Sequence, residues 1–273
     1  MNMSRHRCIR APLLSALLLV LAAPLAAAET APEAQGAPPV EPQTISPEAK
    51  AVLDHMVAFM GTMKTYSIES QSTRDEIVNF GYKVQHNEHQ TLTVQLPNKL
   101  RAEISGDLRE RTFVYDGAKL LMYSPEHAAY TRVDAPDTIG KLVDRLLAAG
   151  MEMPLVDMLY QAAKDELTEG VTGGVLVGDS NVDGAECDHL AFRQPTIDWQ
   201  LWVEQGDKPL PRKLVITTRY EVGDPQYQAV LRWNLKPKID ASTFAFTAPK
   251  GVNEIPFTDP GALKDTAEAG GQP

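Results

Sequence analysis

The first candidate for chemistry is a short run of residues typical of calcium ligands. The segment Asp179 to Gly184, DSNVDG, matches the opening D-x-N-x-D-G of a calcium-binding loop. The twelfth position of such a loop carries a glutamate that binds the ion through both oxygens, but here that position is Leu190. Asn, Asp and Gly are also the residues that tight turns prefer. We therefore predict a hairpin turn rather than a calcium site.

Two pairs of possible zinc ligands also occur. His86 and His89 are three residues apart in a stretch that reads as strand or hairpin, where such side chains point to opposite faces. Cys187 and His189 would share one strand face, but a zinc site needs three or four ligands. The sequence therefore predicts no bound metal. We interpret Cys187 as a small buried residue rather than a nucleophile.

Motifs of the common catalytic folds do not occur in the sequence. There is no G-x-S-x-G elbow, H-E-x-x-H helix, P-loop or dinucleotide-binding glycine pattern. Asp188 with Asp198, or Glu103 with Glu110, would form carboxylate pairs, but ordinary solvated faces explain them in a chain with 36 acidic residues. We predict that the protein is not an enzyme and uses no cofactor. Catalysis stays a third alternative, which a perturbed carboxylate or histidine in a cleft would support.

The tryptophans raise a question of placement. Trp199 and Trp202 are three residues apart in a predicted strand, so one enters the core and the other faces outward or lies at a cavity rim. Tryptophan is largely buried on average, which favours core positions. A tryptophan at a cavity mouth would instead suit an amphipathic lipid.

The N-terminus has the composition of a secretory leader. Arg5, Arg7 and Arg10 precede the apolar run Leu13 to Leu25, and small alanines end at Ala28. The run is shorter than the roughly 20 apolar residues of a membrane span, so we predict cleavage before Glu29 and a mature chain without a transmembrane segment. The predicted organisation is a signal peptide at 1–28, a disordered Pro-rich linker at 29–45, a single domain at 46–257 and a flexible tail at 258–273.

The charge balance argues against nucleic acid as a partner. The chain has a formal net charge of −10, and loss of the leader removes three arginines and no acidic residue, which gives −13. Polyanions bind to basic stripes interleaved with aromatic residues, whereas the lysines and arginines here are scattered and outnumbered.

The elements that would position any site begin with a helix. Ser46 is a predicted N-cap, Pro47 occupies the first helical position and Gly61 lies near the end. Alternating apolar residues and turn signals then predict many strands, each with one polar face. The predicted strands are 66–73, 77–85, 90–96, 99–105, 111–115, 119–123, 129–133, 174–179, 187–193, 199–204, 212–220 and 227–235.

The apolar period changes in the middle of the chain. Ile139, Leu142, Val143, Leu146 and Leu147 have helical spacing, and Gly150 marks the end of that helix. A second helical stretch, with several methionines, spans 151–167. These helices could plug one end of the sheet or form a lid over a cavity, where methionines adapt to irregular apolar guests. Both interpretations fit the pattern.

These elements predict an α+β fold that is mostly β. Many antiparallel strands with few crossover helices favour one strongly curved sheet, forming a half-open, unclosed barrel around the N-terminal helix and under a helical lid. The sequence contains no internal repeat of the kind that a β-propeller requires.

Three segments carry a resemblance to a known group. DGAKLLMYSPEHAAYTRV and the tail FAFTAPKGVNEI resemble the LolA-like superfamily of exported carriers, and CDHLAFRQPTIDWQLWVEQGDKPLPRKLVITTR resembles an uncharacterised family within it, domain of unknown function 2092. The resemblance implies a half-open barrel with an apolar interior and a periplasmic location. The arginine with which lipoprotein carriers lock the lid has no clear match among Arg101, Arg109 and Arg111, so lipoprotein is only a candidate cargo.

Together these observations predict a soluble exported carrier for a hydrophobic ligand, such as a lipid, an acyl chain or the acyl groups of a lipoprotein, that acts without catalysis. The predicted cavity and lid residues are Tyr123, Leu142, Leu146, Met153, Leu155 and Met158. The alternative is an envelope protein-interaction or sensor module of the same fold, which would bind a protein partner through the convex face or an open edge of the sheet.

Overall fold

The N-terminal helix begins where its capping residue predicts. The computed structural model describes residues 44–150, 154–164 and 166–256, and in it the Ser46 hydroxyl accepts a hydrogen bond from the Ala49 amide at 3.2 Å. The predicted signal peptide, most of the predicted linker and the predicted tail lie outside the described residues. The helices are α1 (Pro47–Thr62), α2 (Ile139–Ala148) and α3 (Pro154–Lys164).

Within the described residues, twelve strands form one sheet. The strands are β1 (Thr65–Val78), β2 (Tyr82–Gln95), β3 (Lys99–Gly106), β4 (Glu110–Tyr115), β5 (Lys119–Ser124), β6 (Ala129–Asp134), β7 (Gly173–Val182), β8 (Ala185–Arg193), β9 (Ile197–Glu204), β10 (Pro211–Thr218), β11 (Gln226–Asn234) and β12 (Asn253–Glu254). Their spatial order is β12-β6-β5-β4-β3-β2-β1-β11-β10-β9-β8-β7. The described sheet ends at β12 and β7 and is unclosed, which confirms the predicted mostly β, half-open fold class.

The topology joins two antiparallel meanders. β1 to β6 form one and β7 to β11 form the other, and they meet where β1 pairs with β11. Both helices α2 and α3 lie in the connection between the meanders. The last long strand, β11, therefore lies at the centre of the sheet. The short strand β12 pairs in parallel with β6 at one end of the sheet.

The main core lies on one face of this sheet, which we call the inner face. Residues of all three helices share a single apolar cluster with alternate residues of the strands. Leu53 and Met56 of α1 and Ile68 of β1 are at most 2% exposed. Because side chains of a strand alternate between faces, the intervening residues form the outer face.

The outer face carries a smaller apolar cluster that contains both Cys187 and Trp202. Trp199 belongs to the inner core instead, so the predicted opposite placement of the two tryptophans is confirmed. Cys187 is fully buried, and burial is the main cause that raises the pKa of its thiol. This environment fits the predicted small buried residue, because nucleophilic cysteines need exposure and a lowered pKa.

The first hairpin differs from the predicted strands. The segment predicted as the strand 77–85 straddles a turn at 79–81, and the predicted break at 86–89 lies inside β2. Phe80 and Gly81 both have positive φ values, of 67° and 79°, which makes the tight reversal. The polar run around His86 continues the strand because β1 pairs with it along its full length.

The C-terminal segment covers part of the outer face. The Phe244 side chain is 8% exposed, and its ring lies 5.9 Å from the Lys99 ammonium on β3. The Phe246 ring lies between Tyr123 and Tyr130, at centroid distances of 5.2 and 5.3 Å. This segment thus packs on the outer face of β3, β5 and β6, opposite the main core.

Candidate ligand-binding site

Cavity 1 lies between helices α2 and α3 and the inner face of β1 to β5. It has a volume of about 140 Å³. Its apolar wall consists of Leu100, Ala102, Ile104, Leu108, Phe113, Leu120, Leu142, Val143, Leu146, Leu155, Val156 and Tyr227, and its polar wall of Ser72, Arg74, His86, Asn87, Glu88, Gln90 and Arg109. The cavity is therefore amphipathic: β1 and β2 supply most of its polar residues, and β3 to β5 with α2 and α3 supply most of its apolar residues.

Helix α2 forms part of the apolar wall. One side-chain and one backbone hydrogen bond fix the position of its first turn. The Thr138 hydroxyl accepts a hydrogen bond from the Lys141 amide at 3.3 Å, and the Ile139 amide donates to the Pro97 carbonyl at 2.9 Å. Leu142 and Val143 are then 4% and 1% exposed. Helix capping of this kind stabilises the first turn, so the wall is anchored to the turn between β2 and β3.

The polar wall arises from the register of β1 and β2. Near the start of β1 the inner face is apolar, as in the pair Ile68 and Leu92. Farther along, the residues at the same inward positions are polar. Their cross-strand pairs are Ser70 with Gln90, Ser72 with Glu88, and Arg74 with His86.

Most of the ionisable side chains of this wall contact a partner of potentially opposite charge. The His86 imidazole lies 3.0 Å from the Glu76 carboxylate, and the Arg109 guanidinium lies 3.3 Å from the Glu88 carboxylate. The Arg74 guanidinium instead lies 5.9 Å from the centroid of the Tyr227 ring. Such cation–π contacts leave the guanidinium hydrogens free to donate to another group.

Cavity 2 is the larger of the two and lies beside α3 over β9, β10 and β11. Its volume is about 430 Å³, within the range of roughly 300–1,000 Å³ that is usual for small-molecule sites. The lining residues are Arg74, Asp75, Met158, Leu167, Gln194, Ile197, Trp199, Leu214, Ile216, Thr218, Tyr220, Glu221, Pro225, Gln226 and Tyr227. Trp199 is held in place by stacking on Phe192, with ring centroids 4.1 Å apart.

The two cavities meet at Arg74 and Tyr227, which line both. Burial raises the pKa of the Tyr227 hydroxyl, while a hydrogen bond with Ser72 and the nearby Arg74 and Arg109 act in the opposite direction. The hydroxyl is therefore protonated at neutral pH. It is a neutral hydrogen-bonding group at the junction.

The structure brings together four of the six residues predicted to bind ligand. Leu142, Leu146 and Leu155 line cavity 1, and Met158 lines cavity 2. Met153 lies outside the described residues. A role of any of these residues in binding stays a prediction.

Tyr123 is not near the other predicted residues. It lies three positions after Leu120, which lines cavity 1, so its side chain points to the outer face. There its ring packs against Phe246. Tyr123 lies in a strand, as predicted, but its side chain is on the face of the sheet opposite the cavity that it was predicted to line.

Sequence reasoning missed the polar wall and the junction. Arg74, Gln90 and Tyr227 form no recognisable motif, and their grouping depends on the hairpin of β1 with β2 and on the pairing of β1 with β11, which lies far along the chain. One local signal was available: Ser70, Ser72 and Arg74 continue the two-residue period of Tyr66 and Ile68, which marks them as inward-facing.

The metal and turn predictions can be compared with the described residues. The segment at Asp183 and Gly184 is a hairpin turn, with φ values of 51° and 86°, and Asp183 pairs with Arg232. His86 and His89 each contact a different glutamate. Over the described part of the chain, no group of three or more His, Cys, Asp or Glu side chains could hold a metal ion.

None of the helices among residues 44–150, 154–164 and 166–256 is long and apolar enough to cross a bilayer.

The sequence of residues 49–258 matches the model of a family described as predicted periplasmic proteins, domain of unknown function 2092. The chain belongs to this family. The resemblance that the sequence carries to it is thereby confirmed. The family description places its members in the periplasm and gives no ligand. No curated protein sequence matches the chain.

Several solved structures are similar to the fold. LprF from Mycobacterium bovis is 12% identical, with a TM-score of 0.45 over 77% of this chain and 99% of that chain. The lipoprotein LppX from Mycobacterium tuberculosis is also 12% identical, with a TM-score of 0.40 over 71% and 100%. A LolA superfamily protein from Nitrosomonas europaea is 9% identical, with a TM-score of 0.33 over 72% and 97%.

Proposed function

We propose that the protein is a periplasmic binding protein or carrier that holds a hydrophobic ligand, such as a lipid or an acyl chain, between its helices and the inner face of its sheet, without chemical turnover. The observation that carries the proposal is the pair of apolar-lined cavities that meet at Arg74 and Tyr227. Burial of a ligand methylene there contributes about 0.8 kcal/mol.

The sizes of the cavities suggest how a ligand would enter. Cavity 2 has room for an acyl segment, whereas cavity 1, at about 140 Å³, is smaller than usual ligand sites. A ligand segment larger than cavity 1 would fit there only if α2 and α3 moved away from the sheet. Within this proposal the two helices serve as a lid, and their apolar wall closes over the chain after loading.

Native mass spectrometry with organic extraction tests the proposal directly. Protein purified after export is expected to carry a stoichiometric lipid or acyl species, or to acquire one from membrane lipids. Leu146→Glu places a carboxylate in the apolar wall of cavity 1 and is expected to abolish this species. Leu147→Glu is the matched control, because Leu147 is the neighbouring residue of α2 and is already 38% exposed.

The proposal has a clear contrary result. Protein that stays free of ligand after incubation with membrane lipids, or that loses ligand equally in both variants, would remove the support for a carrier.

A second candidate function rests on the free edge of β7. Val175, Leu176 and Val177 are 53%, 37% and 56% exposed on this strand, which pairs only with β8 apart from one bridge between Ile45 and Gly174 among the described residues. An exposed apolar edge can accept an extended segment of another protein. If the chain is an envelope interaction module, Val177→Lys should reduce crosslinking to a periplasmic protein partner and leave lipid content unchanged.

A further inference from the structure

The inner face of β1 and β2 changes from apolar to polar along the strands. Tyr66 and Ile68 point into the main core, but Ser70, Ser72 and Gln90 take the next inward positions and are only 1%, 6% and 8% exposed. Burying such groups without hydrogen bonds lowers the stability of a folded protein. Polar residues here need a reason other than stability of the core.

Hydrogen bonding within the protein does not account for all of these groups. The Ser70 hydroxyl is buried and has no hydrogen-bond partner among the described residues. Gln90, its cross-strand neighbour, lines cavity 1. The Ser72 hydroxyl lies 3.4 Å from the Glu88 carbonyl and also bonds to the Tyr227 hydroxyl. Gln90 therefore brings hydrogen-bonding capacity to cavity 1, next to the unpartnered Ser70 hydroxyl.

The charged side chains of this wall determine which ligand charge the site would favour. Glu88 is already paired with Arg109, Glu76 lies 3.0 Å from the His86 imidazole, and the neighbouring Asp75 pairs with Lys83 at 3.6 Å. In the described part of the chain no carboxylate pairs with Arg74. Its guanidinium, on a solvent-exposed residue, is therefore a positive charge without a carboxylate partner at the junction of the two cavities, and the Glu221 carboxylate also lines cavity 2.

We propose that Arg74, with Gln90 and the hydroxyl of Tyr227, binds the anionic head group of a single-chain amphiphile whose tail lies in the adjoining cavities. This inference rests on the proposed binding function. A guanidinium presents five donors and suits either a carboxylate or a phosphate. The head group lies where the cavities meet, so the tail can extend from it along the apolar wall of either one.

Calorimetric titration with three ten-carbon ligands separates head group from tail. Decanoate and decyl phosphate are expected to bind at least about tenfold more tightly than decanol, which is the effect of one charge-assisted hydrogen bond. Arg74→Gln should remove this preference and leave the affinity for decanol unchanged. Arg74→Lys, which keeps the charge but not the planar fork, should retain part of it.

Arg132→Gln is a matched control for the loss of an arginine. The Arg132 guanidinium also lies over a tyrosine ring, that of Tyr130 at 5.6 Å, but on the opposite face of the sheet. This variant should keep the full preference for anions. The tighter of the two anions in the wild-type protein identifies the head group as carboxylate or phosphate, and either result supports the site.

Two results would overturn the inference in distinguishable ways. Equal affinities of the wild-type protein for decanol and both anions, or an unchanged preference in Arg74→Gln, would refute the anionic site while a hydrophobic binding function stands. Failure of all three ligands to bind would refute the binding function itself.

Discussion

At the scale of single residues, the burial of Tyr66 makes the stability of the fold depend on pH. Its side chain is 9% exposed and packs against Trp233 with ring centroids 5.5 Å apart. Burial raises the pKa of its hydroxyl to about 12, because the phenolate would lose its hydration. In the unfolded chain the pKa of a tyrosine is near 10.

The sign of the resulting pH effect follows from proton binding. Between about pH 10 and 12 the unfolded chain releases the Tyr66 proton while the folded chain keeps it, so raising the pH favours unfolding. We expect Tyr66→Phe to be less sensitive to alkali than the wild-type protein, with a difference in the free energy of unfolding that grows to about 2 kcal/mol near pH 12. Urea denaturation at several pH values measures it.

Tyr220→Phe provides the control for this measurement. Tyr220 is 69% exposed, so its replacement removes a phenol that is not buried and should leave the pH dependence of stability unchanged. A wild-type stability that is flat between pH 10 and 12, or an equal effect of both substitutions, would contradict the role of Tyr66.

At the scale of elements, the C-terminal segment is expected to stabilise the sheet from its outer face. Phe244 is buried beside Lys99 of β3, and the Ala245 carbonyl accepts a hydrogen bond from Arg101 of the same strand at 3.2 Å. Phe244→Ala should lower the free energy of unfolding by roughly 3 kcal/mol, measured by urea denaturation. Phe246→Ala should cost less, because Phe246 is only half-buried. The reverse order would show that the segment is held mainly by the Tyr123 and Tyr130 contacts.

The elements also show which signals are local. Helices α1 and α2 could be predicted because Ser46 and Gly150 are capping residues and the apolar period between caps is helical. The break between β1 and β2 was misplaced because the polar run near His86 resembles a loop, whereas in the structure each of its residues has a partner on β1. Pairing across strands is a tertiary property that one sequence does not display.

The same limit applies to the site. The apolar residues of α2 could be predicted, since Leu142 and Leu146 follow the helical period. The inward face of β5 could not, because nothing local indicates which side of the sheet the helices cover, and Tyr123 was accordingly placed on the wrong face. Arg74 and Tyr227 become neighbours only through the pairing of β1 with β11.

At the scale of the whole molecule, the two cavities predict how affinity depends on ligand length. Each added methylene that is buried contributes about 0.8 kcal/mol, or roughly fourfold in affinity. Alkanoates from six to sixteen carbons should therefore bind with rising affinity until the available volume is filled, and the affinity should then level off. Calorimetric titration of the series measures the length at which this occurs.

The position of the plateau distinguishes a rigid container from a lid that opens. If α2 and α3 keep their positions, the tail is confined to cavity 2 and the small volume of cavity 1, so the plateau comes early and hydrogen exchange of α2 is unchanged by ligand. If the helices move outward, affinity continues to rise with longer chains, and α2 exchanges differently in the bound protein while α1, whose Leu53 and Met56 are fixed in the core, does not. Affinity that is independent of chain length from the start would mean that no apolar tail is buried, and the binding function proposed for this sheet would be wrong.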